Sequence, residues 1–240
     1  EKALTIKPDY AEVHYNLGVT LQELDQLEAA VKSYEKAITI KPDYADAYIN
    51  LGITLKNLGQ LDAAVKSYEK AIAINPDYAE AHNNLGNTLD DLGQLDAAVK
   101  SYENALAIKP DFAEAHNNLG NTLMNLDQLD EAVKCFKQAL AIKPDYAEAH
   151  NNLGNTLMNL DQLDASIKSF EKALAINPRY AEAYQNHGNA LLGLKRMDEA
   201  LVSFERALVL KPDIKFLLGH SLHTKMHLCI WDDLPNRLNE

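Results

Sequence analysis

The sequence predicts an all-α solenoid of helix–turn–helix units, and three observations predict it. Pro8, Pro42, Pro76, Pro110, Pro144, Pro178 and Pro212 stand 34 residues apart. Between successive prolines lie two stretches whose apolar residues recur at helical spacing. Glycine, alanine and aromatic residues return at the same place in every period, as closely packed helix pairs require.

The elements follow in order. Residues 1–10 match the end of a preceding unit. Six full units then cover 11–214, at 11–44, 45–78, 79–112, 113–146, 147–180 and 181–214. The second unit shows the logic. Its first helix places Ala47, Tyr48, Leu51, Gly52, Leu55 and Leu58 along one face. The turn is Gly59-Gln60-Leu61, and the second helix buries Ala64, Val65, Tyr68, Ala71 and Ile72 before Pro76 stops it. Asp77 and Glu80 have the spacing of a capping box, repeated at Asp9/Glu12, Asp111/Glu114 and Asp145/Glu148, with Asp43/Asp46 as an all-Asp version. Arg179 breaks the box, so the sixth unit is expected to start less firmly. Gly18, Gly52, Gly86, Gly120, Gly154 and Gly188 are read as core, opposite Tyr34, Tyr68, Tyr102, Phe136, Phe170 and Phe204. After 214 the 34-residue pattern breaks. Residues 215–240 are expected to form a capping helix and a linker toward a downstream domain.

Composition narrows the function classes. A formal net charge of −12 argues against a nucleic-acid backbone as partner. No apolar run is long enough to span a bilayer, so a membrane is not expected as a partner either. EKALTIKPDY has no signal-peptide core. Cys135 and Cys229 are unpatterned, which suits a reducing compartment, and a cytoplasmic location is expected.

Within each unit, Leu at position seven, Gly at eight, Ala at twenty, an aromatic at twenty-four, Ala at twenty-seven and Pro at thirty-two recur together. In this pattern 11–214 resembles the tetratricopeptide repeat. The resemblance implies a right-handed superhelix with the first helices lining its concave side. His187 departs from it at position seven. So does the His or Tyr at position four (His14, Tyr48, His82, His116, His150, Tyr184), where that family often has Trp. The tail, with Leu217–Gly219 and His223–Asp233, the latter ending in Cys229-Ile230-Trp231-Asp232-Asp233, is similar to the segment joining repeats to catalytic domain in O-linked N-acetylglucosamine transferases and their SPINDLY-type bacterial relatives. That resemblance implies the substrate-recognition arm of a glycosyltransferase whose catalytic domain lies outside these residues.

No catalytic constellation emerges and no cofactor is expected, so the residues present are read as non-enzymatic. His220, His223 and His227, with Cys229 nearby, share a helix face and invite a metal, against the plainer reading of surface or interface histidines. The remaining candidate is the first-helix face that does not pack, at positions two, five, six, nine, twelve and thirteen. Position six is Asn16, Asn50, Asn84, Asn118, Asn152 and Asn186. Position nine is Val19, Ile53, Asn87, Asn121, Asn155 and Asn189, and position five adds Asn83, Asn117 and Asn151. A primary amide donates and accepts, so such a ladder can hold a peptide backbone with little regard for side chains. With helices ~10 Å apart and a strand advancing about 3.3 Å per residue, one rung meets roughly every third residue of an extended peptide. The competing reading makes the amides structural, bonding neighbouring repeats, or a relic of duplication, since 113–130 and 147–164 are identical. Against duplication alone, EAVKCFKQ and ASIKSFEK in the second helices have drifted.

Position two is acidic throughout (Glu12, Asp46, Glu80, Glu114, Glu148, Glu182), read mostly as capping. First-helix cations are nearly absent apart from Lys56, which disfavours recognition of acidic C-termini there. Met124, Met158 and Leu192 add a small adaptable strip. The expected partners are therefore proteins or extended peptides, with a stand-alone scaffold for complex assembly as the alternative. Leu4 and Ile6, stripped of a preceding unit, are expected to drive end-to-end self-association.

Overall fold

A computed structural model describes residues 10–213 and 217–230. Leu4, Ile6, the Asp9/Glu12 box and Trp231-Asp232-Asp233 therefore lie, wholly or in part, outside the described residues. What is described is all helix and turn, in two compact units that divide between Leu126 and Asp127. The first holds α1 (Ala11–Glu23), α2 (Leu27–Ile40), α3 (Ala45–Asn57), α4 (Leu61–Ile74), α5 (Ala79–Asp91), α6 (Leu95–Ile108) and α7 (Ala113–Asn125). The second holds α8 (Leu129–Ile142), α9 (Ala147–Asn159), α10 (Leu163–Ile176), α11 (Ala181–Gly193), α12 (Met197–Leu210) and α13 (Leu217–His227).

Two turns alternate, each dictated by local sequence. Within a helix pair, the first helix ends in a Schellman motif. Gly59 sits at φ 74°, its N–H bonded to the Lys56 carbonyl at 2.9 Å, while Gln60 N–H bonds the Leu55 carbonyl at 2.9 Å. The turn is thus Leu58-Gly59-Gln60, and Leu61 already belongs to α4. Asp25, Asp161 and Lys195 hold the same left-handed conformation at φ 57–60°. Asp tolerates it through its short polar side chain, whereas Lys195 carries the steric cost.

Between pairs, Lys41-Pro42-Asp43-Tyr44 forms a β-turn closed by Tyr44 N–H to the Lys41 carbonyl at 3.2 Å, and the four later junctions repeat it. Proline at the second position pre-sets φ. This turn overturns the capping-box reading. Asp77 is spent inside the turn, the residue entering α5 is Tyr78, and no side-chain cap bond forms at any of these junctions. Because Pro178 and not an acid sets the geometry, α11 starts at Ala181 in the same conformation as its counterparts, and the expected weak start is not found.

The core is a knob at position twenty-four set against a bare backbone at position eight. A Cβ added to Gly52 would lie 2.6 Å from Tyr68 Cε1, and one added to Gly154 would lie 2.6 Å from Phe170 Cε1. The alanines at positions twenty and twenty-seven are fully buried around each ring. Ser166, the one replacement, donates to the Gly154 carbonyl at 2.7 Å, so the hydroxyl is satisfied.

The tail departs from the expected break in pattern. Cys229 is left-handed (φ 57°), and Ile230 N–H bonds the Lys225 carbonyl at 2.9 Å, so α13 ends like a first helix with the 34-residue register intact. Thr224 is buried and bonds back to the His220 carbonyl at 2.7 Å, as Thr54 does to Asn50. What changed are the side chains: Ser221, Leu222 and Lys225 stand where other units carry Leu (His187 in the sixth), Gly and Leu. Lys225 is buried against Glu205 at 2.8 Å. Leu217 is fully buried against the cluster that includes Phe204 and Ala207, so α13 does cover α12.

Candidate amide-lined binding surface

The first helices carry the predicted asparagines, and each unit of the fold has its own row. In the first unit Asn16 is exposed, while Asn50, Asn84, Asn87, Asn118 and Asn121 are half-buried. In the second unit Asn152, Asn155, Asn186 and Asn189 are half-buried.

Position five departs from the expected exposed face. Asn83, Asn117 and Asn151 are only 2%, 0% and 5% exposed. For Asn83 and Asn151 the reason is that the next repeat's first helix leans on this position. Asn118 Nδ2 donates to Asn83 Oδ1 at 3.2 Å and to Asn87 Oδ1 at 2.9 Å. Asn186 Nδ2 donates to Asn151 Oδ1 at 3.1 Å, and Asn50 Nδ2 donates to the Tyr15 hydroxyl at 2.9 Å. Position six therefore reaches back 35 residues to position five. Part of the ladder is structural, as the competing sequence reading held.

Some of the remaining amides are not tied up. Thirty-five residues before Asn84 stands Ile49, which offers no acceptor. Asn87 Oδ1 also accepts from the Tyr102 hydroxyl at 2.8 Å. Its counterparts Asn155 and Asn189 face Phe170 and Phe204 at that register, and phenylalanine has no hydroxyl to give. Among the described residues, the side chains of Asn84, Asn155 and Asn189 make no hydrogen bond. The Tyr-to-Phe change at position twenty-four was the sequence signal for this difference. A 260 Å³ depression beside Asn50 is lined by Val19, Gln22, Glu23 and Tyr34. Lys56, the lone cation of this face, is paired with Asp91 at 2.9 Å.

Position two serves the fold. Lys109 bridges to Glu80 at 3.1 Å and Lys211 to Glu182 at 2.7 Å. In Glu80 the backbone hydrogen bond, and in Glu182 the Lys211 bond, is the main cause holding the carboxyl below its usual pKa. Asp46 accepts from the Tyr78 hydroxyl at 2.5 Å, pushing that phenol up to about 12. The histidines at position four clamp the preceding turn: Nε2 of His82, His116 and His150 lies 3.0–3.1 Å from the carbonyls of Pro76, Pro110 and Pro144. Sequence reasoning did not find this clamp. His187, the odd residue at position seven, lies 3.0 Å from Ser203 Oγ through Nδ1, with Nε2 buried and unpartnered. Burial lowers its pKa.

The tail histidines divide. His223 and His227 face each other at 3.2 Å between Nε2 atoms, while His220 packs on the Phe204 ring. Cys229 is exposed, and no group of three or more His, Cys, Asp or Glu is placed to hold a metal among the described residues. No described helix is long and apolar enough to cross a membrane.

Comparison with known proteins bears on what such a surface does. Family models described as TPR repeat and tetratricopeptide repeat match 1–32, 20–59, 54–93, 86–127, 120–161, 147–180 and 181–214. The comparison with curated proteins found no match. Among solved structures, YrrB, described as having an unusual peptide-binding site, is 26% identical over 82% of this chain and 99% of its own, with a TM-score of 0.65. MamA is 29% identical over 68% of this chain and 95% of its own, with a TM-score of 0.63. Cut9 in its complex with Hcn1, a hetero-tetramer of the APC/C, shares the fold at 19% identity and a TM-score of 0.76; this chain spans 44% of that chain's length. None of these three is described as a glycosyltransferase.

Proposed function

Since the chain belongs to the tetratricopeptide repeat family, whose repeats bind proteins and peptides, we propose that it is a non-catalytic scaffold that holds partner polypeptides in extended form on its first-helix surfaces. The observation that carries this is the set of uncommitted amides. Asn84, Asn155 and Asn189 sit half-buried on helices otherwise cross-linked by amide bonds, with donors and acceptors left over. Half-burial lowers the local dielectric, which strengthens a hydrogen bond to a peptide backbone. The neighbours Asn118 and Asn186, whose Nδ2 groups bond back to the preceding repeat, tie the helices together, so little ordering entropy is lost on binding. The likeness to YrrB supports peptide as the ligand class. The scaffold reading takes precedence over the transferase-arm reading, because the relatives above support repeats that bind.

The test is selection from a displayed library of random linear peptides, followed by calorimetry on the enriched sequences. Asn84→Ala, Asn155→Ala and Asn189→Ala combined should weaken binding about tenfold or more while leaving the thermal midpoint unchanged. Equal affinity in the triple variant would remove these amides from the binding surface.

A further inference from the structure

A second surface lies away from the asparagine row, within the second unit. Helices α8, α9 and α10 enclose a groove of about 620 Å³, inside the range of roughly 300–1,000 Å³ typical of ligand pockets. Its floor is apolar, with Leu140, Leu153 and Ile176 among the lining side chains. Lys137, Lys168 and Lys172 line it as well, and no carboxylate does. All three lysines are exposed, and none forms an ion pair among the described residues.

That charge is singular in the chain. Lys137 occupies position twenty-five, where the other five units carry Glu35, Glu69, Glu103, Glu171 and Glu205. The register places Glu69, Lys100 and Asn104 at the corresponding rim positions of the α4–α6 groove, a balance of zero. Around Lys137 the same positions sum to three positive charges, in a protein whose net charge is −12. Three unpaired ammonium groups over an apolar floor are a costly arrangement to leave self-repelling, and they complement an anionic amphipathic ligand. The Lys172 charge is felt inside the groove: burial mainly, and Lys172 in addition, lowers the pKa of His150, which lines the floor.

We propose that the α8–α10 groove is a docking site for an acidic peptide segment of a partner protein, its leucine-like side chains seated on Leu140, Leu153 and Ile176 and its carboxylates on Lys137, Lys168 and Lys172. The surface is separate from the asparagine row, so this chain can hold two polypeptides at once. The occupant is a peptide and not a second copy of this chain's repeats, because Lys36, Lys70, Lys172 and Arg206 directly follow four of the five position-twenty-five acids and would meet the lysine rim with like charge.

The test uses a short fluorescein-labelled peptide of glutamate and leucine, with two controls in which leucine becomes serine or glutamate becomes lysine. The acidic leucine peptide should bind the whole chain, weaken as salt is raised, and lose about tenfold in affinity with Lys137→Glu, a residue five other units already accommodate. Both control peptides should fail to bind. The Asn84→Ala, Asn155→Ala, Asn189→Ala variant should bind the probe normally, so failure of the asparagine surface and failure of this groove read out separately. The proposal is overturned by no binding, by an affinity in Lys137→Glu within twofold of wild type, by equal binding of the lysine peptide, or by binding to phosphatidylglycerol vesicles in place of the peptide.

Discussion

Asparagines at the same repeat position should respond differently to the same substitution, and Asn84 and Asn118 give the sharpest contrast. Both occupy position six, both are half-buried, and both sit on a first helix. Asn118→Ala removes two hydrogen bonds. Asn87 Oδ1 keeps its Tyr102 donor, but Asn83 Oδ1 loses the donor it has, on a side chain only 2% exposed. An unsatisfied buried acceptor costs about 1–3 kcal/mol, and the better helix propensity of alanine returns about 0.6 kcal/mol. The net loss is about 0.4–2.4 kcal/mol, which for a chain of this size lowers the thermal midpoint by roughly 1–10 °C. Asn84→Ala removes no bond, so only the propensity gain remains and the midpoint stays level or rises slightly. Far-UV circular dichroism during heating, run on both variants side by side, measures the difference. If Asn118→Ala melts no lower than Asn84→Ala, the amide links between repeats contribute nothing to stability and the division of the row into bonded and free amides is wrong.

Two other outcomes test the fold. Gly154→Ala drives a Cβ to 2.6 Å from the Phe170 ring and should destabilise by about 1–3 kcal/mol in urea titration, whereas Gly219→Ala meets nothing within 4 Å and should not. His187 is held below its ordinary pKa of 6.5 by burial, so the unfolded chain binds its proton more readily; the stability this residue contributes is present above about 6.5 and falls as the pH drops from there toward the folded value, and His187→Leu should flatten that loss between pH 7 and 5.

Much of this protein was legible because its repeats report the same physics several times. Proline at a fixed period marks a turn that a helix cannot cross, and glycine facing an aromatic marks helices in close contact. Those features depend on local backbone geometry and on side-chain size, which sequence states directly. The capping boxes failed for a local reason too: Asp77 has the right spacing to Glu80, but Pro76 draws it into a β-turn one residue before the helix begins.

What only the tertiary structure decided is the fate of each amide. A helical wheel puts Asn83 and Asn84 on the same outward side, because a single helix has no knowledge of the next repeat. Packing buries Asn83 under Asn118 and leaves Asn84 opposite Ile49 with nothing to bond. The positive groove around Lys137 is of the same kind. The sequence holds the one lysine in a column of glutamates, but only the approach of α8 and α10 over α9 brings it beside Lys168 and Lys172 above an apolar floor. Burial and charge density belong to the arrangement of several helices, and no single unit's residues specify them.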